Sequence, residues 1–391
     1  RYLPGGYATQ VLADLGAEVI KVEDTGLGDF MRHDYPTMGG GISYYITALG
    51  RNKKSVSLNL KDSEVVDWFL KMAKEADIIV ESFRPGVTAK LGIDYETVKA
   101  INPRIIYCSI SGYGATDPRS KKAQHDLNMQ ATSGYLSVNY GSTSTLHLCD
   151  LSSGMVAGQA LLAALYAREQ TGEGCYIDTS MFDCFVWWNS LLDSRWCFNG
   201  GECKRNDLEY PSTAYNVYET ADGGKLALGM VEPKFWEPFC DAIGHPEIKP
   251  TGLMREWEAP EAFEIVRETI KSKTTQEWLD WLEDKDFCIA KVNSKTEAVE
   301  QITRENPEAL AWVEFPRVGR VLQTGLPHHL SNIPVEISEF EAPSLLGEDT
   351  AEYLKKAGAD DETIARLKEN GSIRLGDDIE EEEDFAPIAP T

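Results

Sequence analysis

The chain has 391 residues, more than a single hydrophobic core usually supports, so we expect two or more domains. Its formal net charge of -25 argues against general binding to nucleic acids or to anionic membranes. The charge is uneven, because residues 1–125 contain 16 Lys and Arg against 15 Asp and Glu, whereas residues 126–391 contain 22 against 48. A polyanionic ligand is therefore expected only in the first third of the chain.

The first 180 residues alternate strand-like apolar runs with segments of helical periodicity. The predicted strands are 17–23, 55–60, 76–82, 104–110 and 175–181, and the predicted helices are 62–75 and 154–169. Strands separated by helices pair in parallel, so we predict an α/β fold with a doubly wound, mostly parallel, Rossmann-like sheet. Ligands of such sheets bind beyond the carboxyl ends of the strands.

The rest of the chain predicts a smaller α+β domain and a return to the large one. We place the large domain at 1–183, a tryptophan-rich helical linker at 184–210 and the small domain at 211–300. An irregular return linker follows at 301–343, then two short helices that rejoin the large domain at 344–374 and a disordered acidic tail at 375–391.

Cysteine usage and the absence of targeting signals indicate a reducing compartment. The eight cysteines include no C-x-x-C pair, and we see neither a signal peptide nor an apolar run that predicts a membrane span. We therefore predict free thiols and a cytoplasmic protein that binds neither membrane nor nucleic acid. The opening residues, RYLPGGYATQ, lack a methionine, as expected if a short leading segment such as a first strand were absent.

Two polar stretches are candidates for chemistry. "AQHDLNMQATSG" places His125 beside an aspartate, and "LCDLSSG" places Asp150 directly before a predicted helix. Either stretch alone also fits ordinary helix capping. The pair His328 and His329 lacks a third ligand at any metal spacing, so we predict no metal site.

Five motifs in register resemble the class III CoA-transferase family, which also contains the α-methylacyl-CoA racemases. They are "GGYATQVLADLGAEVIKVEDTGLGDFMR", "RNKKSVSLNLK", "ADIIVESFRPGV", "SISGYG" and "GEDTAEYLKKAG". The resemblance implies an enzyme acting on CoA thioesters, with no permanently bound cofactor, whose protomers interlock as a homodimer. Coenzyme A enters as part of the acyl-CoA substrate, and its phosphates need cationic contacts. At the motif positions these are Arg32, Arg51, Lys53, Arg84 and Lys90.

The resemblance leaves two reactions open. Both branches have an aspartate at the position of Asp150: it is a nucleophile in transferases and an acid/base group in racemases. The racemases carry a histidine at the position of His125, and they have a glutamate, corresponding to Glu232, that would pair with it. We therefore predict a racemase that inverts the α-carbon of a 2-methylacyl-CoA by proton transfer, with CoA transfer between carboxylic acids as the alternative.

Two departures from the racemase pattern bear on the active site. Leu146 stands where that pattern has an asparagine supporting the aspartate, and Ser152 and Ser153 replace part of a glycine run. The serines are expected to narrow the acyl pocket or to replace the lost hydrogen bonds. The backbone N–H groups of residues 151–154 are expected to stabilise the enolate oxygen of the substrate.

Overall fold

The structure, a computed structural model, describes residues 2–37, 41–139, 143–201 and 211–376. It divides into two compact units, the first formed by Arg1–Asp193 and Ile302–Thr391 and the second by Ser194–Gln301. The acidic tail from residue 377 onwards and residues 202–210 of the predicted linker lie outside the described part of the chain.

The strands and helices are numbered in chain order. The strands are β1 (Val19–Glu23), β2 (Lys53–Leu58), β3 (Ile78–Glu81), β4 (Ile106–Ser111), β5 (Cys175–Ser180), β6 (Tyr215–Glu219), β7 (Lys225–Gly229), β8 (Ile289–Lys291), β9 (Leu310–Phe315), β10 (Gly319–Thr324) and β11 (Ile373–Arg374). The helices are α1 (Tyr2–Asp14), α2 (Tyr44–Leu49), α3 (Ser63–Glu75), α4 (Val87–Leu91), α5 (Tyr95–Ile101), α6 (Asp126–Thr132), α7 (Tyr135–Val138), α8 (Leu148–Thr171), α9 (Met181–Trp188), α10 (Ser190–Phe198), α11 (Pro233–Ala242), α12 (Pro260–Lys271), α13 (Thr275–Leu282), α14 (Lys295–Glu305), α15 (Thr350–Lys356) and α16 (Asp361–Glu369).

The first unit contains two three-stranded sheets. One has the order β1-β2-β11, with β1 and β2 parallel and β11 antiparallel at the edge, and the other has the order β3-β4-β5, all parallel. The middle strands β2 and β4 are almost completely buried, as expected for apolar strands covered on both faces. The mixed α/β architecture with parallel strands agrees with the fold class predicted from the sequence.

Helices α1 and α8 pack closely because α8 carries glycines at the contact. A Cβ atom at Gly154 would lie 2.7 Å from Cβ of Tyr7, so only glycine permits this approach. Ala8, Ala157 and Leu161 are completely buried between these helices and the second sheet. This packing fixes the first turn of α8 against α1.

The prediction that residues 301–343 are irregular was wrong for two strands. β9 and β10 form an antiparallel hairpin, in which Phe315 pairs with Gly319 and Leu310 with Thr324. Val313 and Phe315 pack into the same core cluster as Leu3 of α1, so the segment is part of the first unit's core.

The second unit is an antiparallel sheet with helices. Its strand order is β6-β7-β8, and its core includes the buried side chains of Trp236, Phe239 and Trp278. Helices α11, α12 and α13 each contribute residues to this core.

Among the described residues, α8 is the one helix whose length and composition would allow a membrane span, with a mean hydropathy of 1.4 over the tested window. Our expectation that no apolar run reaches that length was wrong for this helix. With 44% of its apolar stretch buried inside the protein, α8 fits a core helix equally well.

Candidate active site

Asp150 lies within the first turn of α8. The helix begins at Leu148, six residues before the predicted start, and His147 at its N-cap position makes no side-chain capping bond. The N–H groups of the first turn therefore need acceptors from elsewhere in the chain.

Asp126 supplies that acceptor. Its side chain is buried, and Oδ1 accepts the N–H of Cys149 at 2.6 Å and that of Asp150 at 3.4 Å. Gln130 donates from Nε2 to Oδ2 of the same carboxylate at 2.5 Å. A negative carboxylate is favourable at a helix N-terminus, so Asp126 both caps α8 and fixes the backbone that carries Asp150.

The local electrostatics raise the pKa of the Asp150 carboxyl to about 6. Burial is the largest cause, the negative charge of Asp126 adds to it, and His147 acts in the opposite direction. Asp150 is nonetheless partly exposed to solvent, so a reactant can reach it. A carboxyl group with this pKa is ionised at neutral pH and is more basic than an ordinary aspartate.

Two tyrosines and His147 complete the surroundings of Asp150. Oη of Tyr45 lies 3.3 Å from Nε2 of His147, within hydrogen-bond distance. Burial, followed by the charge of Asp150, raises the pKa of Tyr7, and the pKa of Tyr45 is also raised, chiefly by burial. Both phenols therefore stay protonated near neutral pH and can donate hydrogen bonds to an oxygen of a bound substrate.

The neighbouring thiol of Cys149 is a poor nucleophile. Its side chain is completely buried, and Sγ contacts the carbonyl oxygen of Asp126 at 3.6 Å. Burial and then the charges of Asp126 and Asp150 raise its pKa far above the ordinary value, so the thiolate is scarcely formed.

The predicted catalytic residues lie in two different units. His125 precedes α6, is exposed, and donates its backbone N–H to Oδ1 of Asn128 at 3.3 Å. Its neighbour Asp126 connects this segment to the turn that carries Asp150. Glu232 precedes Pro233 at the start of α11 in the second unit, and its pairing with His125 stays a prediction.

The predicted oxyanion donors are not available. The N–H of Leu151 already donates to the carbonyl of His147 at 2.9 Å, and residues 152–154 lie deeper in the helix, where N–H groups bond to the preceding turn. Ser152 and Ser153 are completely buried and donate to the carbonyls of Cys149 and Asp150, both at 3.0 Å. They therefore brace the first turn of α8.

Two of the predicted phosphate contacts are already engaged inside the fold. Arg32 is 2% exposed and forms two hydrogen bonds with Glu23, at 2.6 and 2.8 Å. Arg51 is 4% exposed, pairs with Asp14 at 2.7 Å and stacks over the ring of Phe340. These guanidinium groups meet buried carboxylates of their own chain, which gives them a structural role, and their contact with the CoA phosphates stays a prediction.

The other three predicted phosphate contacts differ in how accessible their side chains are. Lys53 is buried, and Nζ donates to the carbonyl of Gly6 at 3.0 Å and to Oγ1 of Thr9 at 2.9 Å. Burial lowers its pKa well below the ordinary lysine value. Arg84 and Lys90, by contrast, are exposed, Arg84 in the loop after the carboxyl end of β3 and Lys90 in α4. They are the two cations of the predicted set with free access to a ligand.

Asp126, Tyr7, Tyr45 and His147 were not identified as site residues from the sequence. Asp126 had a usable signal, because it adjoins His125 in a helix-start pattern. The others approach Asp150 only through the packing of α1, α2 and α8, which local periodicity does not reveal. Among the described residues, no group of three or more His, Cys, Asp or Glu is arranged to hold a metal ion.

Comparisons with known proteins identify the family. The model of CoA-transferase family III matches residues 1–350. The human succinyl-CoA:glutarate CoA-transferase is 30% identical over 385 residues, covering 95% of this chain and 87% of its own. The formyl-CoA:oxalate CoA-transferase of Escherichia coli is 31% identical over 408 residues, covering 94% of this chain and 96% of its own.

Solved structures agree with these sequence matches. A CaiB/BaiF family protein from Brucella suis superposes with a TM-score of 0.79 at 25% identity, covering 91% of this chain and 96% of its own. Rv3272 from Mycobacterium tuberculosis gives a TM-score of 0.75 at 26% identity, covering 90% of this chain and 95% of its own. The chain thus shares the α/β fold of a solved CaiB/BaiF family protein. The chain belongs to CoA-transferase family III, which confirms the resemblance stated from the sequence.

Proposed function

We propose that this protein transfers coenzyme A from an acyl-CoA to a second carboxylic acid, with Asp150 as the nucleophile. The observation that carries the proposal is the partly exposed carboxylate of Asp150, held on the first turn of α8 and ionised at neutral pH. The relatives reported above are themselves named as CoA-transferases. This support favours the alternative stated from the sequence over racemisation, which was our main prediction.

The reaction proceeds by four substitutions at carbonyl carbons. The Asp150 carboxylate attacks the thioester, CoA leaves as a thiolate, and a mixed anhydride forms. The thiolate attacks the aspartyl carbonyl, which releases the first acid and leaves an aspartyl-CoA thioester. The second acid attacks that thioester and expels the thiolate, and the thiolate then attacks the new acyl carbonyl and frees Asp150. No net proton or electron is consumed, so no permanently bound cofactor is required.

The tyrosines near Asp150 fit the charge that develops in these steps. Each tetrahedral intermediate places a negative charge on a carbonyl oxygen, and preorganised donors stabilise it. The protonated phenols of Tyr7 and Tyr45 are the proposed donors to these oxygens. Arg84 and Lys90 are proposed as contacts of the CoA phosphates.

The acid substrates are assigned only by class. The names of the relatives concern short dicarboxylic acids, oxalate and glutarate, so we propose a small carboxylic acid as the acceptor of CoA.

We also retain the homodimer as a proposal. The exposed apolar side chains of Trp187, Trp188 and Leu191 fit a surface that a second copy would cover. The cytoplasmic location stays a prediction.

One assay separates transfer from racemisation. The protein is incubated with a chiral 2-methylacyl-CoA in D₂O, and separately with an acyl-CoA and a free acid. Transfer predicts a new acyl-CoA in the second incubation and no deuterium at C2 in the first. Deuterium at C2 with loss of configuration, and no exchange of acids, would restore the racemase reading. His125→Gln is the control, because it should be mild in a transferase and severe in a racemase.

A further inference from the structure

His147 and Asp150 lie side by side at the amino end of α8. His147 is the N-cap residue and Asp150 is in the first turn, and side chains three positions apart on a helix are neighbours, with Cβ atoms about 5–6 Å apart. The electrostatics agree with this proximity, because His147 opposes the rise in the pKa of Asp150. A small molecule that reacts at Asp150 can therefore also reach the imidazole of His147.

The imidazole of His147 is oriented but accessible. Its side chain is exposed and makes no capping bond with α8. Nε2 lies 3.3 Å from Oη of Tyr45, and Nδ1 has no hydrogen bond with any residue that the structure describes. Tyr45 is half-buried in α2, so its contact holds one ring nitrogen in place and leaves the other to a ligand.

A carboxylate is the ligand that fits this pair of side chains. An anion beside an imidazole favours the doubly protonated ring, in which both nitrogens donate hydrogen bonds. In that form Nε2 of His147 donates to Oη of Tyr45, and Nδ1 donates to the anion. The hydroxyl hydrogen of Tyr45 then remains available for the carbonyl oxygen that reacts at Asp150.

The negative charges nearby decide when such an anion can bind. An ionised Asp150 repels a second carboxylate, but in the proposed transfer the acceptor acid arrives when Asp150 is a CoA thioester and carries no charge. Asp126 stays negative, yet its carboxylate is buried and accepts hydrogen bonds from Gln130 and from the N–H groups of Cys149 and Asp150. The repulsion is therefore weakest at the step in which the acid must bind.

We propose that His147 binds the second carboxylate of a dicarboxylic acid whose first carboxylate reacts at Asp150. The inference rests on the proposed CoA transfer and adds the residue that selects the acid. The spacing of neighbouring helical side chains fits a diacid with a short aliphatic chain, such as succinate or glutarate. Oxalate, whose two carboxylates are directly bonded, is too short to reach both groups. A monocarboxylic acid leaves Nδ1 of His147 without a partner.

Two acids of equal length test the proposal. The kcat/KM of CoA transfer is measured for glutarate and for pentanoate, which has as many carbons and only one carboxylate. In His147→Ala we expect the ratio of glutarate to pentanoate to fall about tenfold or more, mainly through the KM of glutarate, because a charge-assisted hydrogen bond is lost. His147→Lys keeps a cationic donor and should preserve a higher ratio than His147→Ala. His245→Ala is the matched control and should leave the ratio unchanged, because His245 is also exposed but pairs with Glu247 in the second unit.

An unchanged ratio in His147→Ala would overturn the proposal. An equal loss with both acids would also overturn it, because the effect would then lie on Asp150 or on the fold and not on the second carboxylate.

Binding without turnover separates this inference from the proposed transfer. Asp150→Asn carries no charge at the reacting position, so NMR of its imidazole signals reports binding alone. Glutarate should shift the signals of His147, assigned by their loss when His147→Ala is added, and pentanoate should not. If the unsubstituted protein transfers CoA to no acid, the proposed function fails, while this shift still supports the carboxylate site. No shift, or equal shifts with both acids, would overturn the inference about His147.

Discussion

Asp126 accepts the backbone N–H of Asp150 through Oδ1 at 3.4 Å, although the two carboxylates stand 24 positions apart and repel each other when both are ionised. The same oxygen holds the N–H of Cys149 at 2.6 Å. Asp126 thus fixes the position of Asp150, the proposed nucleophile, and makes its carboxylate more basic. Most of the site's testable behaviour follows from this relationship.

Two substitutions of Asp126 separate its capping of α8 from the effect of its charge on the pKa of Asp150. Asp126→Asn keeps an oxygen acceptor for the first turn of α8 and removes the charge, so the pKa of Asp150 should fall and the variant should stay folded. Asp126→Ala leaves the buried N–H of Cys149 and the partly buried N–H of Asp150 without this acceptor and should lower the free energy of unfolding by about 1–3 kcal/mol. Urea unfolding of both variants measures this. An Ala variant as stable as the Asn variant would contradict the capping role.

Activity should rise with pH through the pKa of Asp150. Only the carboxylate is nucleophilic, and its pKa in the folded chain is about 6, so kcat/KM should increase between about pH 5 and 7 and level off above. In Asp126→Asn the midpoint should move to lower pH. Steady-state rates in buffers of constant ionic strength measure the profile. If Asp126→Asn left the pH profile unchanged, the charge of Asp126 would not contribute to its midpoint.

Asp150→Asn should abolish transfer and stabilise the fold at neutral pH. The folded chain holds the Asp150 proton more tightly than the unfolded chain, whose aspartates have pKa values near 3.9, so the stability from this carboxyl is full below about pH 4 and is lost as pH rises through 6. Asparagine removes the cost of the buried charge. The gain in the free energy of unfolding should grow between about pH 4 and 6 and reach at most about 3 kcal/mol. It should be smaller than this limit because Asp150 is partly exposed.

Urea unfolding at pH 4.5 and 7.5 tests this dependence. Asp117→Asn serves as the control of opposite sign, because Arg119 lowers the pKa of Asp117 to about 2 and the substitution should give no gain at neutral pH. An Asp150→Asn variant that gains nothing at pH 7.5 would show that the carboxyl is not destabilised there.

Arg84 and Lys90 should affect binding of the CoA thioester more than chemistry. A charge-assisted hydrogen bond is worth about 1.5–3 kcal/mol, so Arg84→Ala and Lys90→Ala should each raise KM about tenfold or more with little change in kcat. Arg104→Ala is the matched control, because Arg104 is also exposed but precedes β4, at the amino end of its strand. Equal KM values in all three variants would contradict the assignment of Arg84 and Lys90 as contacts of the CoA phosphates.

The sequence predicted the strands and helices that are determined by local sequence features. Apolar runs at 17–23 and 104–110 correspond to β1 and β4, and Asp62 caps α3 through the N–H of Glu64, as its position before an amphipathic stretch indicates. The start of α8 was missed because its acceptor, Asp126, is distant in sequence, and no N-cap side chain marks the turn. The hairpin of β9 and β10 was missed because its strands do not alternate strictly between buried and exposed residues.

The site showed the same division between local and tertiary causes. The positions of the motifs pointed to Asp150 and to the loop that contains Arg84. The sequence does not show, however, which acidic residue pairs with each arginine. Arg32 meets Glu23 and Arg51 meets Asp14 only after β1, β2 and α1 have assembled. Residue type therefore predicted these two cations as ligand contacts without revealing the carboxylates they pair with inside the fold. Tyr45 approaches His147 across 102 positions, which no local pattern encodes.

Trapping of the covalent intermediate tests the central claim most directly. The protein is incubated with an acyl-CoA and no acceptor acid, treated with borohydride, digested and analysed by mass spectrometry. We predict that the peptide containing Asp150 carries a side chain reduced to the alcohol, because the aspartyl-CoA thioester is the species that borohydride reduces. Asp150→Asn should give no modified peptide. An unmodified Asp150 in a preparation that is actively transferring CoA would contradict Asp150 as the nucleophile.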